Sequence, residues 1–180
     1  MKKILAIIIL AILVIFIGIL IMPNKVESNN TSEIHTFINK THPPINKTNK
    51  PFTPTNLSVI QLNYLLDDTA IANHGKYFKK LEKDYEVNAV YAIAVMRLES
   101  GLGYLPPSKN NLFSIREGYK WRSFESPKAA ILYFGFLMRD GMYENNDLHT
   151  IANTYCEQSN TWYKEITLIM NQMWERIKNV

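Results

Sequence analysis

The chain has 180 residues, 47% of them apolar, with a single cysteine and a net charge of +4. That length supports one domain of ordinary size with a segment left over, and one thiol excludes an internal disulfide. The charge does not mark a nucleic-acid groove, which needs clustered basic residues: from Val59 onward 14 Lys plus Arg face 14 Asp plus Glu, and the excess lies in Lys2, Lys3 and the lysines before Ser58.

Ile4 to Met22 is a run of 19 residues, apolar apart from Gly18 and preceded by Lys2 and Lys3. As a helix it is long enough to span a bilayer. Ile21-Met22-Pro23-Asn24 offers no small-residue cleavage site, and no cysteine follows for lipid attachment. The run is therefore expected to be an uncleaved signal anchor over residues 1–22, with the lysines cytoplasmic and the rest on the outer side. Residues 23–56 turn to Asn, Thr, Lys and Pro, with too few apolar side chains to bury, and read as a flexible linker. His35 and His42 lie there with no metal-ligand spacing, so neither a metal nor another cofactor is expected.

The remaining residues, 57–180, are expected to form a mainly α domain. Apolar spacing predicts helices over about Leu57–Leu66 and Lys76–Tyr85, with a turn at Asn73-His74-Gly75 between them. Ala89 to Leu98 is nearly all apolar, Asn88 is a good N-cap, and Gly101 and Gly103 stop the helix. A mostly buried helix thus ends at Glu99. Desolvation raises the pKa of such a carboxyl, and the negative end of the helix dipole acts the same way. A glutamate kept protonated is what a glycosidase uses to donate a proton to a leaving-group oxygen. A solvated Glu before a glycine is also a common helix ending, and Glu-Ser-Gly alone does not choose between the two.

Tyr104-Leu105-Pro106-Pro107 cannot be helical and is expected to form a loop beside a cleft. Leu112–Ile115 and Tyr119–Phe124, flanking Glu117-Gly118, predict a short β-hairpin. Ser126-Pro127 starts a helix running to Arg139, Asp147 or Asn146 caps one through Cys156, and Asn160 caps the last, in which Trp162, Ile166, Ile169, Met170, Met173 and Trp174 recur at helical spacing. Cys156, in an apolar pattern with no basic neighbour, is expected to pack as a small hydrophobe.

The apolar helix, Leu98-Glu99-Ser100-Gly101-Leu102-Gly103, the polar loop and Asn110-Asn111-Leu112-Phe113-Ser114-Ile115 together resemble the glucosaminidase family of peptidoglycan hydrolases. The closing segment, Thr154-Tyr155-Cys156 followed by the Asn160-Thr161-Trp162 helix start, is similar too. The resemblance implies a lysozyme-like helical fold with a small hairpin lobe, cleavage of the β-1,4 bond after N-acetylglucosamine in cell-wall glycan strands, Glu99 as catalytic acid and Tyr155 as active-site tyrosine. It places Ser100, Tyr104, Asn111, Phe113, Trp121 and Trp162 as candidate substrate contacts. Phe113, Tyr119 and Trp121 offer flat faces for sugar rings and fit a core equally well. Glu117 and Glu125 are the candidates for a second acid, although the lobe is short and either fits a surface charge; the water of the second step is activated either by such a carboxylate or by the substrate's own N-acetyl group. Ser114 replaces the family's usual glycine, and Cys156 its usual alanine. A lytic transglycosylase and a non-catalytic wall-docking module are the alternatives.

Overall fold

The computed structural model describes residues 44–178 except Met142, Asn145 and Gln158. The expected anchor and most of the expected linker lie outside these residues. Among the described residues no helix is long and apolar enough to cross a membrane.

The described residues form six helices and one hairpin: α1 (Val59–Leu65), α2 (Gly75–Tyr85), α3 (Ala89–Glu99), β1 (Arg116–Glu117), β2 (Lys120–Trp121), α4 (Pro127–Arg139), α5 (Leu148–Tyr155) and α6 (Trp162–Ile177). The centre is α3, where every residue from Ala89 to Met96 is buried. A helix apolar all round has no face to give to water, so it must be surrounded. Packing puts α2 and α6 against α3, and α1 and α4 against α2. Gly135 permits the approach of α4 to α2, because a Cβ there would meet the Tyr85 ring at 2.5 Å.

Helix starts follow their capping chemistry. Asn88, Ser126 and Asp147 each accept a hydrogen bond from the third residue onward, and Ser58 with Gln61 forms a capping box. The start of α6 differs from expectation. Its N-cap is Thr161 rather than Asn160, and the Ser159 hydroxyl accepts from the Trp162 amide at 3.1 Å.

The linker ends earlier than composition suggests. Residues 44–56 are strapped onto the domain: the Asn88 amide donates to the Pro51 carbonyl at 2.7 Å and its side chain donates to those of Thr48 and Lys50. The Thr55 amide and hydroxyl both donate to the buried Glu82 carboxylate, at 2.6 and 2.7 Å. Polar residues hold this segment by hydrogen bonds to main chain, which apolar periodicity cannot reveal. The hairpin is likewise shorter than expected, two residues per strand, with Arg116 paired to Trp121 and Glu117 to Lys120 across a Gly118-Tyr119 loop. Leu112, Phe113 and Ile115, expected in its first strand, are buried in the core instead.

Candidate active site

A groove of about 500 Å³ runs past the C-terminus of α3, lined among others by Glu99, Ser114, Arg116, Trp121, Tyr133, Tyr143, Tyr155, Cys156 and Glu157. The last residue of α3 brings Glu99 to its wall, half-buried. The Trp162 indole, from the first turn of α6, donates to the Glu99 Oε1 at 2.8 Å. Burial holds the Glu99 carboxyl above its ordinary value, against the Trp162 donor, which favours the charged form. Among the described residues no cation forms an ion pair with it: Arg97, two residues earlier, is held by Asp68 through two bonds of 2.8 and 2.7 Å. That pairing pulls Asp68 down to about 2.

Ser114 occupies a strained turn. Its φ of 51° lies in the left-handed region, which costs a residue with a Cβ about 1–2 kcal/mol and favours glycine. Its hydroxyl donates to the Glu99 main-chain carbonyl at 3.0 Å. The Tyr155 hydroxyl donates to the Phe113 carbonyl. Burial, then the neighbouring Glu99, pushes the Tyr155 phenol well above its ordinary value. Its proton is therefore retained and committed to main chain, and the residue lines the groove.

Several residues expected to touch substrate instead build the wall. Ser100 is buried and donates to the Met96 carbonyl at 2.7 Å. Asn111, also buried, staples the loop by accepting from the Ile115 amide at 2.9 Å and donating to its carbonyl at 2.8 Å. Phe113 is fully buried and stacks on Phe134 with centroids 4.2 Å apart. Trp162 is 3% exposed, so its contact with Glu99 replaces the expected contact with sugar. All four lie in the motif segments and pack behind the groove. Tyr104 and Tyr119 are exposed and do not line the groove.

The two candidates for a second acid are not brought to the groove. Glu117 is spent on Arg122 at 3.6 Å, Glu125 is exposed, and neither lines the groove. The carboxylate that joins Glu99 there is Glu157, just past α5. It stands near Tyr143, whose phenol is raised by burial and then by Glu157. Sequence reasoning passed over Glu157 because it lies beyond the helix end and outside the hairpin. Its closeness to the tyrosine-cysteine pair was the available signal. Cys156 packs half-buried against the core as expected, yet it also lines the groove, with its thiol raised by burial and then by Glu99 and Glu165. Among the described residues no cluster of His, Cys, Asp and Glu is arranged to hold a metal ion.

The sequence model for glucosaminidase, described as mannosyl-glycoprotein endo-beta-N-acetylglucosaminidase, matches residues 75–175. The chain belongs to the glucosaminidase family. It is accordingly a glycoside hydrolase. The matched span of this glucosaminidase runs from the start of α2 to near the end of α6, so it contains every groove residue named above. No match is found among curated proteins.

Solved structures of S. aureus autolysin E share the fold. A catalytic mutant in complex with the disaccharide NAG-NAM is 20% identical over 73% of each chain, with a TM-score of 0.57. A complex with the muropeptide NAM-L-Ala-D-iGlu is 22% identical over 85% of this chain and 81% of that one, at 0.60. A further structure of autolysin E is 21% identical over 73% and 72%, also at 0.60.

Proposed function

We propose that this glucosaminidase hydrolyses the β-1,4 bond on the reducing side of N-acetylglucosamine in peptidoglycan, with Glu99 as general acid. The observation that carries the reading is the Glu99 carboxyl, half-buried on the groove wall with one oxygen fixed by Trp162 and its pKa raised by burial. A carboxyl in that setting keeps its proton until a glycosidic oxygen needs it. As the C–O bond breaks, the proton passes from Glu99 to the departing sugar oxygen and positive charge grows at the anomeric carbon. The Tyr155 oxygen, its proton given to Phe113, offers electron density to that carbon. Glu157 is the carboxylate available in the groove to take a proton from the attacking water. A base for water favours hydrolysis over the anhydro product of a transglycosylase.

The substrate class draws support from the family and from the muropeptide and disaccharide bound by autolysin E. The apolar run Ile4–Met22 supports a membrane tether with the domain on the wall side. Digestion of purified cell wall by the full chain tests the reading. New reducing ends are expected to be N-acetylglucosamine, and E99Q is expected to release muropeptides more slowly by about 10²- to 10⁴-fold, the usual contribution of a general acid. Full activity in E99Q, or anhydro ends in the wild-type digest, contradicts it.

A further inference from the structure

The chain has five arginines, Arg97, Arg116, Arg122, Arg139 and Arg176. Four have carboxylate partners: Arg97 with Asp68, Arg122 with Glu117, Arg139 with Glu86, and Arg176 with Asp67. Arg116 has none among the described residues, and it is the cation that lines the groove. Its neighbour Glu117 turns away to Arg122, leaving the guanidinium of Arg116 over the Trp121 indole with its central carbon 4.2 Å from the ring centroid. Arg116 and Trp121 are cross-strand partners, so the hairpin itself sets this stacking.

A guanidinium laid on an indole is fixed in plane without losing its in-plane N–H donors, which suit a carboxylate bidentately. The stacking also covers one face of Trp121, so a sugar meets there a guanidinium–indole pair rather than bare indole. The other charged groups of the groove are carboxyls, Glu99 and Glu157. Arg116 is therefore the one side chain lining the groove whose charge attracts a substrate carboxylate.

We infer that Arg116 is a specificity-determining residue that binds a carboxylate carried by the glycan, held for that purpose by Trp121. The inference rests on the peptidoglycan reading and narrows it. Such a groove prefers a strand bearing lactyl or stem-peptide carboxylates to a neutral polymer of the same linkage. The two sources share one chemistry and are separated by the substrate.

The test compares initial rates of the full-length wild type, R116Q and R116K on peptide-free strands with free lactyl carboxylates and on peptide-bearing strands. Each strand is used as it is and with its carboxylates capped as methyl amides. The wild type is expected to prefer at least one uncapped strand by about tenfold in kcat/KM, the size of one charge-assisted hydrogen bond. In R116Q that preference falls towards one through KM, and R116K lies between. A preference on the peptide-free strand assigns the lactyl group, and one confined to the peptide-bearing strand assigns the stem peptide. A wild type without preference, or an R116Q that keeps it, overturns the role of Arg116 alone. Cleavage of no strand by the wild type overturns the peptidoglycan reading and this one together.

Discussion

Glu99 and Arg116 line one groove and are held in different ways. Glu99 ends a helix buried for eight consecutive residues, with an indole 2.8 Å from one oxygen and Ser114 on its main chain. Arg116 sits on a hairpin of two-residue strands whose residues are all exposed, steadied by one aromatic face. The dry wall perturbs a proton affinity, which needs desolvation and fixed donors. The wet hairpin offers charge and shape, which work at the surface. On the proposed reading, acid chemistry is therefore tied to the stability of the core, and substrate choice is largely free of it.

Substitutions on the two sides separate these roles. The largest stability effect is expected for F113A: removing a fully buried ring stacked on Phe134 costs about 3–5 kcal/mol, read as a fall in the denaturation midpoint. An F113A protein of wild-type stability with weakened sugar binding would return Phe113 to the substrate face. An intermediate effect is expected for W162F, which removes the donor that favours ionised Glu99. The proton is then held more tightly, so the alkaline limb of the pH–rate profile moves to higher pH. A limb that stays in place separates Trp162 from the acid. The smallest stability effect is expected for W121A, within about 0.5 kcal/mol as at other surface positions, while kcat/KM falls because the Arg116 platform is lost. A W121A protein destabilised as much as F113A would make the hairpin part of the core.

The same division governs what sequence alone could reveal. The all-apolar stretch Ala89–Met96 could only be a surrounded helix, and Glu99 at its end followed from that. Family resemblance added the acid role and Tyr155. The wall was misassigned where motif residues were taken for sugar contacts. Ser100, Asn111 and Phe113 are buried and hold the loop and the core, which their place in a motif does not state. The contact between Trp162 and Glu99 joins residues 63 positions apart, and only the packing of α6 on α3 creates it. Glu157 was passed over for a similar reason: its closeness to Tyr155 and Cys156 hinted at the site, but nothing local shows which side of a helix end meets a groove. The strap at residues 44–56 escaped because it is secured largely by hydrogen bonds, with Phe52 and Pro51 also packing as apolar side chains.

The raised pKa of Glu99 also carries a stability consequence. The folded chain keeps this proton to higher pH than the unfolded chain does, so the stability it contributes is complete below the ordinary glutamate value. That contribution is lost as pH rises through the folded value. The protonated acid disappears over the same interval. The most direct test is the titration of the Glu99 carboxyl itself, followed by NMR on protein carrying carboxyl-labelled glutamate, with E99Q identifying the resonance. The account predicts a midpoint above the value of about 4.3 for a free glutamate side chain; a midpoint at or below it would contradict the proposal that the groove wall keeps Glu99 protonated for catalysis.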